Sequence, residues 1–116
     1  MKIRANKVSI VGLGFVGSAM AVAINSVKEK NNNLYNVLGI EKNDYNGKII
    51  SQSLNNGIFP FKVNDKILIN KAKLLKNRAN FFASNNIEDI KDSKIIICSI
   101  NFNIMEEKKK FITNSD

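Results

Sequence analysis

Gly12, Gly14 and Gly17, within Gly-Leu-Gly-Phe-Val-Gly, close a β-branched run at Lys7–Gly12 (Lys-Val-Ser-Ile-Val-Gly) and open a stretch of small and aliphatic residues. Glycines at that spacing, between a strand and a helix, suit the holding of a pyrophosphate by main chain alone. Gly12 permits the tight turn, Gly14 lets the backbone approach the phosphates with no Cβ in between, and Gly17 lets helix and strand pack closely. The unpaired amides around Phe15 and Val16 then face the anion along the positive end of the helix dipole. The candidate set on this loop is Gly12, Leu13, Gly14, Phe15, Val16 and Gly17. Glu41 stands 24 residues after Gly17, near the spacing of about 20 at which an acid meets the adenosine ribose. A carboxylate there accepts hydrogen bonds from both ribose hydroxyls and repels a 2′-phosphate, which favours NAD over NADP, and Lys42 beside it weakens that preference. The bland alternatives are a glycine turn in an unrelated crossover and a solvated glutamate. The strand before, the helix after and the acid at the expected distance weigh together for a dinucleotide site.

Other chemistries lack their residues. The chain has no His and one Cys, so it lacks the usual residues of a zinc site or a His-dependent triad and cannot form an internal disulfide. Cys98 follows Ile95-Ile96-Ile97, a continuous apolar run that reads as a strand buried on both faces, and a core thiol is the expectation. An activated thiolate would need a cationic or helix-N-terminal setting. No catalytic residue and no metal ligand is assigned. The net charge of +8 is spread along the chain, with one cluster at Lys108-Lys109-Lys110 that reads as a solvated tail more readily than as a nucleic-acid patch. Asn, Lys and Ile, whose codons are A/T-rich, supply nearly half of the residues, which accounts for much of the basicity. The apolar stretches around Val8–Val16 and Ile95–Ile100 fall short of the roughly 18–20 residues needed to cross a bilayer. The first residues lead into glycines and not into a signal-peptide apolar region, so a cytoplasmic protein without membrane or nucleic-acid partners is expected.

The elements that position the glycines and Glu41 follow from periodicity. Gly14 to about Val27 reads as a helix lying close against a sheet, ended by the polar string Lys28–Asn33. Tyr35–Glu41 reads as a second strand and Asn43–Gly47 as a turn. Lys48–Leu54 has helical spacing, broken by Gly57 and Pro60. A further helix is expected over Asp65–Lys76, a strand over Ala79–Ala83, a helical turn over Asn86–Ile90 and a strand over Lys94–Ser99. At 116 residues there is room for one domain. The alternation gives an α/β fold: a partial Rossmann-type, mostly parallel sheet of about four strands in the order 3-2-1-4, with flanking helices.

Lys7–Glu41, with Val-Gly-Leu-Gly-Phe-Val-Gly at 11–17, resembles the N-terminal NAD-binding domain of the UDP-glucose/GDP-mannose dehydrogenases, whose fingerprint is typically Val-Gly-Leu-Gly-Tyr/Phe-Val-Gly. Asn56-Gly57-Ile58-Phe59-Pro60-Phe61 resembles the more specific Asn-x-Gly-x-x-Pro segment of the same enzymes. The resemblance covers roughly residues 7–103, taken as the domain 1–103, with 104–116 as a polar tail. Glu41 stands where the family commonly has Asp, the 41–48 turn is slightly expanded, and Ser99-Ile100-Asn101 replaces a frequent Thr-Pro-Thr. By position, the resemblance puts Ser99 and Ile100 beside the nucleotide.

The resemblance implies NAD as cofactor, two successive oxidations of a sugar C6 alcohol to a carboxylate, and a catalytic cysteine in a later substrate domain. No such cysteine is within reach here, and Asn101–Asp116 offers no fifth or sixth strand. The chain is therefore expected to read as the first part of a longer protein. A gene fragment, a truncated reading frame and a split subunit completed by a separate chain stay open. An apolar Ile95–Ile97 edge predicts self-association, and the chain alone is expected to be inactive. A non-catalytic nucleotide-binding or interaction module of the same fold is the alternative.

Overall fold

The β-branched run at the start of the chain forms β1 (Lys7–Val11) in the computed structural model, which describes residues 6–100. It is followed by α1 (Phe15–Asn25), a two-residue hairpin of β2 (Lys28–Glu29) and β3 (Asn32–Asn33), then β4 (Asn36–Ile40) and α2 (Tyr45–Asn55). Next come α3 (Lys66–Leu75), β5 (Phe81–Ser84), a 3-10 turn at Ile87–Ile90 and β6 (Ile95–Cys98). The four long strands form one sheet in the order β5-β4-β1-β6, every pair parallel. This is the 3-2-1-4 order expected from the sequence, in a partial Rossmann-like fold. The expected domain boundary at residue 103 and the tail 104–116 lie outside the described residues.

Burial decides which face each helix takes. Along α1 the buried residues are Gly17, Ser18, Ala21, Val22 and Asn25, a stripe of mostly small side chains that lets the helix lie close to the sheet. Ile10, Val37, Phe81 and Ala83, alternate residues of three neighbouring strands, form one core with Ala21, Val22, Leu54, Ala72 and Leu75. Asp44 and Asp65 start α2 and α3 by accepting from first-turn amides, as N-caps do. At the end of α2, Gly57 N–H bonds to Leu54 O and Ile58 N–H to Ser53 O. These are the two bonds of a Schellman cap, and Gly57 takes the left-handed φ of 76° that it requires. The following Phe59 is thereby turned back into the core, at 8% exposed.

α2 begins at Tyr45, inside the stretch Asn43–Gly47 that reads as a turn, because Asp44 caps it. Two further expectations need correction. The polar string Lys28–Asn33 does more than end α1: Lys30 and Asn31 both take positive φ, 52° and 70°, which turns β2 back on β3 as in a type I′ hairpin. The second concerns Cys98, expected in the core. It is exposed, as are Ile95 and Ile96, at 51% and 49%. Ile-Ile-Ile-Cys has the composition of a central strand, but among the described residues β6 is an edge of the sheet and pairs with β1 alone. Among the described residues, no helix is long and apolar enough to cross a membrane, and no group of three or more His, Cys, Asp and Glu is placed to hold a metal ion.

Candidate functional site

Parallel strands all deliver their carboxyl ends to the same side of the sheet, and here a cavity of about 630 Å³ opens there. Its walls come from the end of β1 (Val11, Gly12), Gly14 at the entry to α1, the end of β4 with the residues after it (Ile40, Glu41, Lys42), and the first turns of α2. Phe61, Asn85, Ile87 and Ile100 complete them. The position follows the rule for open α/β sheets, in which ligands sit beyond the strand ends where the strand order reverses. Here that reversal lies at β1, between β4 and β6.

The three glycines of the loop do different work. Gly12 has φ of 101°, and a Cβ on it would come within 2.3 Å of the Ser99 carbonyl oxygen. A Cβ on Gly17 would stand 1.8 Å from the Gly12 carbonyl oxygen, so strand and helix meet there without room for any side chain. Gly14, in contrast, has φ of −68° and ψ of −164°, a conformation open to every residue. Its bare Cα faces the cavity, and no side chain caps the first turn of α1 that it begins. The bare Cα of Gly14 and those uncapped amides leave this part of the loop approachable by an anion.

Glu41 is tied directly to this loop. One carboxylate oxygen, Oε1, accepts a 2.6 Å hydrogen bond from the Leu13 amide, while the other has no partner among the described residues. The Leu13 side chain is fully buried, under Gly39, so Leu13 serves the site through its backbone. Lys42 is exposed on the cavity wall. Ser99 donates its amide to Val11 O at 2.7 Å, which extends the β1–β6 pairing past Cys98, and Ile100 reaches the cavity. Gly12, Gly14, Glu41, Lys42 and Ile100 therefore share one cavity. Leu13 and Gly17 support the loop from behind, and Val16 is 62% exposed outside the wall.

Phe15 also lies outside the cavity wall, in a cluster that pattern reading missed. Its ring meets Phe59 edge-on at 5.3 Å and Phe61 at 6.1 Å, and the latter two rings are 6.0 Å apart. The Asn56–Phe61 segment is thus fastened to the start of α1. Its resemblance motif was visible in the sequence, but this contact was not. Asn85 was missed as well, because Ser-Asn-Asn after a strand reads simply as a turn. Asp44, Ile50 and Ile87 line the cavity without any sequence signal beyond their elements.

No protein-family model and no curated protein matches the chain. Among solved structures, it is similar to the NDP-N-acetyl-D-galactosaminuronic acid dehydrogenase of Methanosarcina mazei Go1, with a TM-score of 0.73 and 21% identity over 83% of this chain. It is also similar to the UDP-D-ManNAc dehydrogenase of Pyrococcus horikoshii, with a TM-score of 0.62 and 16% identity over 93% of this chain. At these identities the likeness establishes the fold. The chain spans 19% and 25% of the two proteins, so the fold it shares is that of one part of each.

Proposed function

We propose that this chain is the NAD-binding segment of a nucleotide-sugar 6-dehydrogenase, and that its cavity takes the ADP half of the dinucleotide. The observation that carries this reading is the bond between Glu41 and the Leu13 amide, which joins the ribose-binding acid and the pyrophosphate loop into one wall. The fit is chemical as well as spatial. The uncapped first turn of α1 offers amides to an anion, Gly14 leaves them approachable, and the unpartnered oxygen of Glu41 can accept from a ribose hydroxyl. A cavity of about 630 Å³ lies within the range of roughly 300–1,000 Å³ that holds small ligands and cofactors.

When bound, NAD supplies the hydride acceptor for oxidation of a sugar C6 alcohol toward the carboxylate. The residues of this chain hold the ADP moiety, orient its ribose and exclude a 2′-phosphate. The sugar site and the nucleophilic thiol belong to residues other than these, in continuation of this chain or in a separate one. The chain alone is inactive in this reading, and it works in the cytoplasm. A second reading, a nucleotide-binding module without catalysis, draws on the absence of Cys98 from the residues lining the cavity.

Calorimetric titration with NAD and with ADP tests the proposal. Comparable binding of both is expected, since the ADP half makes the contacts, and no heat with either from a folded sample contradicts it. NADH formation with a panel of nucleotide sugars separates the two readings once the complete dehydrogenase is assembled: turnover supports the first and binding without turnover the second.

A further inference from the structure

Asn85, immediately after β5, matches no motif, yet its carboxamide joins three elements. Nδ2 donates to the carbonyl oxygens of Glu41 at 3.3 Å and Lys42 at 3.0 Å, and Oδ1 accepts from the Ser51 hydroxyl of α2 at 2.8 Å. Ser51 is 3% exposed, so the hydroxyl that orients the carboxamide is itself fixed. On the same side, the Glu41 amide bonds to Ser84 O at 3.1 Å. The backbone of residue 41 is thus pinned through its N–H and its C=O, and its side chain is pinned to Leu13 at the other end.

Successive carbonyls in an extended strand point in opposite directions. The convergence of two of them on one nitrogen marks the bend where β4 ends, and that bend aims the Glu41 side chain into the cavity. Asn supplies what the position needs: two N–H donors for two carbonyls and an acceptor for a hydroxyl. We propose that Asn85 is the positioning residue for Glu41, and that through this bend it sets the preference of the site for a ribose 2′-hydroxyl over a 2′-phosphate. The proposal rests on the reading that the cavity takes the ADP half of NAD.

A purely structural asparagine is available for comparison. Asn55 clasps the β5 backbone with two bonds, donating to Ala83 O at 2.9 Å and accepting from Ala83 N–H at 2.8 Å, and it does not line the cavity. The experiment measures NAD and NADP affinities by calorimetry for the wild-type chain, Asn85→Ala and Asn55→Ala. Repulsion between the carboxylate and a 2′-phosphate predicts a wild-type preference for NAD of about tenfold or more. Asn85→Ala narrows it to about threefold or less, while Asn55→Ala loses stability and keeps the wild-type ratio. If the alanine variant does not fold, Asn85→Ser, which keeps one donor, is read in the same way. An unchanged ratio in the Asn85 variant overturns the proposal, as does equal narrowing in Asn55→Ala. A wild-type chain that binds both dinucleotides without preference overturns it while leaving the cavity reading intact. A wild-type chain that binds neither overturns the cavity reading itself.

Discussion

Gly12, Gly14 and Gly17 are one motif in the sequence but two kinds of residue in the structure, and substitution separates them. Gly17→Ala drives a methyl against the Gly12 carbonyl, where 1.8 Å is available. The resulting overpacking costs about 1–3 kcal/mol, and in a domain of this size each kcal/mol lowers Tm by about 4–8 °C, which a thermal melt reads directly. Gly14→Val leaves the backbone conformation accessible but places a branched side chain on the cavity wall. The expected outcome is a folded protein that has lost ADP binding, and retention of wild-type affinity contradicts the assignment. The glycine pattern and Glu41 were legible because spacing along one βαβ unit encodes them. The Glu41–Leu13 bond and Asn85 were not, since each depends on how residues far apart in sequence fall in register across the strands.

Among the elements, those with strong periodicity appeared close to where the pattern put them. α3 runs over Lys66–Leu75 inside the expected Asp65–Lys76, and the four strands kept their order. What periodicity does not carry is how an element is covered. The run Ile95–Cys98 reads as buried in sequence and lies exposed at an edge, because its composition is blind to the number of neighbours the sheet gives it. The connector between α2 and α3 owes its path to Gly57, where a side chain would add left-handed strain of about 1–2 kcal/mol and approach the Lys73 carbonyl to 2.8 Å. Gly57→Ala is therefore expected to lower the urea midpoint and to loosen the Phe59–Phe61 contacts with Phe15. Asn56→Ala, at the exposed neighbour, is expected to change the midpoint little.

For the whole molecule, the two edges of the sheet differ. Asn55 satisfies outward backbone groups of β5, whereas β6 presents Ile95 and Ile96 half-exposed, without the charge or proline that keeps edges from pairing. We propose that the chain self-associates through β6, and Ile96→Lys is expected to shift the mass in sedimentation equilibrium toward the monomer. An associated state that persists unchanged in that variant places the contact elsewhere. The proposed site requires a nucleoside diphosphate to lie against the glycine loop and Glu41 together. The most direct measurement is a titration of the ¹⁵N-labelled chain with ADP, followed by amide chemical shifts. Leu13, Gly14, Phe15, Val16 and Glu41 are predicted to shift together along one binding curve, with Lys7 and Asn36 at the opposite end of the sheet unmoved. Shifts confined to other residues, or none at millimolar ADP, would contradict it.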